Sequence, residues 1–377
     1  MNGFSYARWV GIMLKEFIQL KRDRLTFGMI IGIPVMQLLL FGFAINSDPK
    51  SLPTAVLSAD HSSLARSILA GLRNSGYFRI VRELDSEAEA DRLLGDGEVQ
   101  FVVHIPENFA RRVVRGERPA LLIEADATDP SATANAVAAL GGIGQTALAR
   151  EFAGTLAPLA HAPDALDIRV HRRFNPEGVT QYNIVPGLLG VILTMTMVLM
   201  TGLAMTRERE RGTFENLLAT PALPIEVMTG KIVPYILIGL VQVSLVLLAA
   251  HFIFHVPMHG SLFAVYGVVL LFIAANLTLG ITFSTLARNQ LQAMQMTFFF
   301  FLPSILLSGF MFPFRGMPGW AQVIGNLLPL THFLRLVRGI LLKGSGAAEL
   351  WPDVWPLGLF MLVVLGAGLK LYRRTLD

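Results

Sequence analysis

His61, Asp85, His104, Glu124, Asp126 and Asp129 fall within one stretch of the chain and are residue types that hold metals or move protons. Their spacing supports neither chemistry. They form no HExxH pair, no nucleophile elbow and no ligand pair at helical spacing, and they read as solvated loop and cap residues. A glycine-rich loop ending in Gly-Lys-Ser or Gly-Lys-Thr, which cradles nucleotide phosphates, is absent from the sequence. Any ATP linked to this chain must therefore be hydrolysed by another. Zero cysteines exclude disulfides, thiolate metal sites and cysteine nucleophiles, without fixing a compartment.

The elements around these residues are of two kinds. With 53% hydrophobic and 15% charged residues, the chain is too apolar for an ordinary soluble enzyme. Stretches 25–45, 184–205, 232–256, 262–287, 291–312 and 354–369 are essentially uncharged. All but the last reach the roughly 20 residues that cross about 30 Å of hydrocarbon. The expected fold class is a polytopic α-helical membrane protein of six transmembrane helices, with an α/β extracytoplasmic domain inserted between spans one and two. Pro34, Pro186, Pro234 and Pro303 are tolerated in such spans because neighbouring helices satisfy the freed carbonyls. The first apolar run is long, starts late and lacks a small-residue cleavage pattern, so it reads as an anchor.

Residues 1–24 are expected to form a cytoplasmic amphipathic surface helix. Arg8, Lys15, Gln19 and Arg22 share one face, Val10, Met13, Leu14 and Phe17 the opposite one, and Trp9 adds an interfacial anchor. The first span follows over 25–46 and the α/β domain over 47–182. There the stretches TAVLSAD, FRIVREL, QFVVHIP and ALLIEAD read as strands, with helical spacing between them. Pro106 and Pro130 read as first-turn prolines, the latter after a capping Asp129. Gly141, Gly142 and Gly144 interrupt an Ala-rich helical pattern leading back toward the membrane. A five-span domain occupies 183–377.

Charge sets the orientation. Lys15, Lys21, Arg22 and Arg24 precede the first span, and Lys370, Arg373 and Arg374 follow the last, which places both termini in the cytoplasm. Arg207, Arg209, Arg211 and Lys231 put the connection between spans two and three on the same side. Arg315, Arg335, Arg338 and Lys343 do not fit, because they lie between spans five and six, on what should be the outer side.

Transport on an ion gradient requires ionisable groups along the membrane path. No Asp, Glu, Lys or Arg sits deep in the six stretches, and His251 and His255 lie near the outer end of the third. Gln242, Asn276, Gln292, Gln295 and Ser304 suit helix packing or a weakly polar pathway. Gln292 and Gln295 share a helical face with Phe299, as a packing stripe would.

The stretch RERERGTFENLLATP, residues 207–221, interrupts all this apolar chain with mixed charge, a turn at Gly212 and an apolar pattern at Phe214, Leu217 and Leu218. Two readings stand on composition alone: a solvated loop with ion pairs, and a short amphipathic helix that docks on a partner. With GYFRIV, FVVHIPENF and MPGWAQVIGNLLPLTHFLRLVRGILLKG in the same order along the chain, it resembles the permease subunits of type-2 ATP-binding-cassette exporters. The likeness is to the bacterial subgroup with a large external domain after the first span, and it covers nearly the whole sequence.

The resemblance implies a half-transporter of the bacterial inner membrane. A second permease copy or paralogue completes the pathway, separate cytoplasmic ABC ATPase subunits bind ATP and magnesium, and a periplasmic adaptor is a further possible partner. This chain would hold no cofactor or metal and would contact membrane lipids but no nucleic acid. Coupling to the ATPase falls on Arg207, Glu208, Arg211, Gly212, Thr213, Glu215 and Leu217. The pathway runs between the copies past Met195, Met197, Gln292, Gln295, Phe298, Phe299 and Phe300. The segment 313–343, with Pro318, Trp320, Pro329, Arg335 and Arg338, becomes an external hairpin that re-enters the outer leaflet, which accounts for the misplaced basic residues. An apolar path suits hydrophobic or amphipathic drugs, dyes or lipids. Two other classes compete with this reading: a membrane scaffold with a partner-binding external domain, and an ion-coupled transporter.

Overall fold

Strands β1 (Leu52–Ser58), β2 (Phe78–Leu84), β3 (Phe101–Ile105), β4 (Ala120–Asp126) and β5 (Asp167–Arg173) form one sheet in the order β2-β1-β3-β4-β5. Only β3 and β4 run antiparallel. The period of two along β3 divides its side chains between two cores, with Phe101, Val103 and Ile105 in one and Val102 in the other. Helices α1 (Ser63–Asn74), α3 (Phe109–Val114) and α4 (Pro130–Ala149) cover the first face, and α2 (Glu87–Gly95) covers the second.

The computed structural model describes residues 49–149, 151–152, 166–210 and 224–374. The surface helix expected over 1–24, the first span over 25–46 and the coupling residues Arg211, Gly212, Thr213, Glu215 and Leu217 lie outside the described residues.

Local chemistry starts each helix. Ser62 and Ser86 cap α1 and α2 by accepting from Ala65 N and Glu89 N. Asp60 accepts from Ser62 N and, with its other oxygen, from Ala110 N, which ties the start of α1 to α3. Leu64, Ile68 and Leu72 recur every four residues and form the buried stripe of α1. Where α1 meets α4, a Cβ on Gly71 would lie 2.6 Å from that of Ala147, so glycine sets the helix separation.

Several elements depart from the expected pattern. α4 runs unbroken through Gly141 and Gly142. α3 begins after Asn108, whose φ is +57°, so Pro106 precedes the helix instead of sitting in its first turn. Asp129 does accept from Ser131 N at the start of α4. Strand β5 was not expected, because Ile168 and Val170 are its only apolar residues.

Beyond the sheet domain the described residues are mainly helical: α5 (Thr180–Glu210), α6 (Pro224–Phe252), α7 (Leu262–Leu286), α8 (Gln290–Leu307), α9 (Gly319–Gly325), α10 (Pro329–Arg338) and α11 (Ala347–Arg374). Five of these are long and apolar enough to cross a membrane, over Thr180–Ala204, Pro234–Phe252, Leu262–Leu286, Gln290–Leu307 and Ala347–Gly368. The last starts earlier than its uncharged stretch, taking in Glu349 and Asp353 at its first turns. The chain is thus a helical membrane protein with five candidate spans among the described residues and an α/β domain before them.

These helices share a core. Leu189, Leu193 and Met197 of α5 meet Phe272 and Ile273 of α7, and Phe333 of α10 stacks on Phe272 with ring centroids 4.0 Å apart. Backbones approach closely at Gly280 of α7, where a Cβ would lie 2.1 Å from Thr201 Oγ1 and 2.8 Å from the Val198 carbonyl oxygen.

Candidate functional site

α5 begins directly after the sheet domain and runs 31 residues, about 46 Å at 1.5 Å per residue. Its two ends therefore define two sites. At the first, Asn183 Nδ2 donates to the Thr128 carbonyl at 3.0 Å, which joins the helix to the sheet domain. Around this junction lies a cavity of about 480 Å3, walled by the loops after α2 and β4, the segment after α8, and the ends of α10 and α11.

All four basic residues that broke the charge pattern line this cavity. Lys343 Nζ donates to Asp126 Oδ2 at 2.8 Å and to the carbonyls of Leu94 and Gly95. A π-type turn over Gly339–Lys343, closed by Gly344 at φ +71°, delivers it there. Arg315 donates to the Gly97 carbonyl. Arg338 donates to Asn183 Oδ1 at 2.9 Å and the Gly309 carbonyl at 3.1 Å, while its Nε is buried without a partner. Arg335 pairs with Asp353 at 3.3 Å and Asn326 Oδ1 at 2.9 Å, over the face of Phe314. His332 Nδ1 lies 2.6 Å from the same Asp353 oxygen. Of the other hairpin residues, Pro318 precedes α9, Trp320 is exposed on it, and Pro329 opens α10.

The second site is at the far end of α5. Glu210 Oε1 accepts from Gln290 N at 2.8 Å, its other oxygen accepts from the Gln290 amide, and Arg207 Nε donates to Gln290 Oε1 at 3.5 Å. Hydrogen bonds from the Gln290 side chain and backbone hold the Glu210 carboxyl below its ordinary range. Gln290 is the first residue of α8, where a carboxylate also complements the helix dipole. Asn289 caps this end by accepting from Gln292 N, and Gln292 Oε1 reaches back to Arg288 N, both at 2.8 Å. The last turn of α5, where residues 207–221 begin, is thus clasped to the first turn of α8.

Within the sheet domain, His104, His171 and Arg173 converge on Glu124 at 3.1, 3.3 and 3.0 Å, and Arg173 also pairs with Asp91 at 2.7 Å. Burial opposes ionisation of Glu124, but hydrogen bonds from Arg173 and His104 outweigh it and hold the carboxyl below the usual range. His61 and Asp85 are exposed and stand apart from this cluster. Among the described residues, no group of three or more His, Asp or Glu has the arrangement of a metal site.

Residues 24–370 match the model of a family described as ABC-2 family transporter protein. The chain belongs to the ABC-2 transporter family. The permease is 30% identical over 379 residues to the "Probable multidrug ABC transporter permease YbhS" of Escherichia coli, covering 99% of this chain and 98% of that one. It is 25% identical to the "Probable multidrug ABC transporter permease YbhR" of the same organism, over 96% and 97% of the two chains. With the E. coli "Inner membrane transport permease YhhJ" it shares 31% identity, over 91% and 93%. As an ABC-2 membrane subunit, the permease lacks a nucleotide-binding domain.

The pathway candidates of the permease are spread over α5 and α8. Met197 is fully buried, its sulfur close against Gly239 of α6, whereas Met195 is half-buried. Gln292 is buried in the cap of α8, Gln295, Phe298 and Phe300 are half-buried, and Phe299 is exposed. Asp353, Asn183, Asn326 and Gln290 were not singled out in the sequence. Asp353 and Gln290 carried a detectable signal, as a carboxylate near an uncharged stretch and an amide beside a helix cap.

Proposed function

We propose that the permease is the transmembrane half of an ATP-driven exporter of hydrophobic or amphipathic compounds of the multidrug type. Two copies, or this chain and a paralogue, form the pathway, and separate ATPase subunits bind ATP and magnesium in the cytoplasm. The observation that carries this reading is the near full-length likeness to permeases named for multidrug and inner membrane transport. The charge distribution agrees. The five candidate spans hold no Asp, Glu, Lys or Arg except Glu349 and Asp353 at the junction end of the last, and with His251 only at the end of Pro234–Phe252 no chain of titratable groups crosses them.

In this reading residues 25–46 supply a sixth span, both termini face the cytoplasm, and the sheet domain stands outside the inner membrane. Residues 207–221 key into the ATPase, so that closure of its nucleotide sites pulls on α5 and, through Glu210 and Gln290, on α8. A pathway between copies then opens along the two helices that hold Met195, Phe298 and Phe299, whose flexible and apolar side chains adapt to varied cargo.

Purification in mild detergent with identification of co-purifying subunits tests the assembly: an ABC ATPase is expected. Transport of an amphipathic dye should persist when the proton gradient is collapsed and ATP remains. Loss of transport under that condition, or purification without any ATPase, would refute the reading.

A further inference from the structure

We infer that the cavity between the sheet domain and the membrane helices is a binding site for the oxyanion headgroup of an amphiphile, held by Arg315 and Arg338. The inference is separate from the export reading, because it concerns binding alone.

The cavity is lined by Asp96, Asp126, Asp129, Glu349 and Asp353 as well as by the four basic residues, and Asp126 and Asp129 act on Arg315 and Arg338 only through space, without a hydrogen bond or ion pair to either. Lys343 engages Asp126, and His332 and Arg335 engage Asp353. Asp129 accepts from the backbone and hydroxyl of Ser131, Glu349 accepts from Gly346 N, and Asp96 faces solvent. Arg315 and Arg338 form no ion pair with any carboxylate among the described residues. Their acceptors are the carbonyls of Gly97 and Gly309 and the amide of Asn183, all neutral.

A guanidinium carries five N–H donors and loses much hydration on burial, so neutral acceptors alone compensate it poorly. The buried, unpartnered Nε of Arg338 leaves part of this demand unmet inside the wall of the cavity. An oxyanion is the natural complement, since phosphate and carboxylate accept several charge-assisted hydrogen bonds from one guanidinium. A cavity of about 480 Å3 is within the range of small-molecule sites.

The surroundings indicate that the anion carries an apolar tail. Gln322 of α9 lines the cavity, while Trp320, Val323 and Leu327, on the same helix and the turn after it, are exposed at intervals of three and four residues. A headgroup in the cavity would leave its chain free to lie along this stripe.

Binding of short-chain lipids to the purified full-length permease, followed by thermal shift and titration, tests the site. Dihexanoyl phosphatidylglycerol is expected to raise the Tm, and Arg315→Gln or Arg338→Gln to weaken its binding about tenfold each. Zwitterionic dihexanoyl phosphatidylcholine, whose phosphodiester is neutralised by its own choline cation, a charge the two guanidinium groups repel, should bind at least tenfold more weakly. An equal response to inorganic phosphate would support the oxyanion site and assign it to the free anion, whereas a response to the amphiphile alone supports the headgroup. Should an arginine variant fail to fold, Ser345→Glu puts a carboxylate into the cavity wall. It should raise the Tm without ligand and abolish binding. Unchanged affinity in Ser345→Glu, unchanged affinity in both arginine variants, or equal binding of the zwitterion would overturn the inference.

Discussion

Lys343 Nζ donates to Asp126 Oδ2 at 2.8 Å across 217 residues of chain, pinning the turn after α10 to the last residue of β4. Both side chains are largely out of solvent, at 12% and 7% exposure, so removing one leaves the other desolvated and uncompensated. Asp126→Ala and Lys343→Met should each cost about 3–5 kcal/mol, seen as a lowered Tm of the purified permease. The double variant should cost clearly less than the sum. Additive losses would mean that the two residues act independently.

Glu124 makes the sheet domain acid-sensitive. Burial opposes its ionisation, but Arg173 and His104 outweigh this and place its folded pKa below the unfolded value. The resulting stabilisation is fully present above the ordinary glutamate pKa and is lost as pH falls through the depressed one. Melts taken from neutral pH downward should therefore show Tm declining once pH drops below about 4.3. In Glu124→Gln the neutral-pH Tm should be lower and this part of the acid decline absent. A wild-type decline that persists unchanged in the variant would assign the acid sensitivity elsewhere.

Much of this architecture is legible in the sequence where local pattern decides the structure. Continuous apolar runs such as FVVHI, buried on both faces of the sheet, and long uncharged stretches carry their burial in their own composition. Strand β5 escapes because it is an edge strand: it pairs only with β4, and its arginines and histidine face solvent or the Glu124 cluster instead of a core. The basic residues of 313–343 look misplaced for a related reason. Arg338 meets Asn183 at a separation of 155 residues and Lys343 meets Asp126 at 217, and no local periodicity encodes such pairs. What the sequence shows as a charge anomaly is one half of the contact between the sheet domain and the membrane helices.

Because the chain has no cysteine, single cysteines report orientation without background. Asp91 and Glu210 are both accessible, and the length of α5 separates the ends of the molecule on which they lie. Asp91→Cys should react with a membrane-impermeant maleimide in spheroplasts, and Glu210→Cys only after the membrane is permeabilised. Reaction of both sites, or of Glu210→Cys alone, in intact spheroplasts would invert or dismantle the proposed topology.

The clasp between Glu210 and Gln290 separates two roles that a single loss of transport would blur. Within 207–221, Arg211, Gly212, Thr213, Glu215 and Leu217 are proposed to hold the ATPase, whereas Glu210 and Gln290 join the end of α5 to the start of α8. Glu215→Arg combined with Gly212→Trp should remove the ATPase from the purified complex, because a reversed charge and a bulky side chain both oppose a close interface. Gln290→Ala should instead leave the ATPase bound, since it removes the side-chain amide that Glu210 and Arg207 contact and keeps the backbone N–H. Coupling energies between sites are typically 1–3 kcal/mol, so dye transport should fall about tenfold while ATP hydrolysis continues. Glu210→Gln keeps the shape of the clasp but weakens its acceptor, and should fall between wild type and Gln290→Ala. If Gln290→Ala transports normally with its ATPase bound, motion of α5 reaches α8 by another route, such as the Gly280 and Thr201 contact through α7. If it loses the ATPase altogether, Gln290 belongs to the docking surface and the division of roles fails.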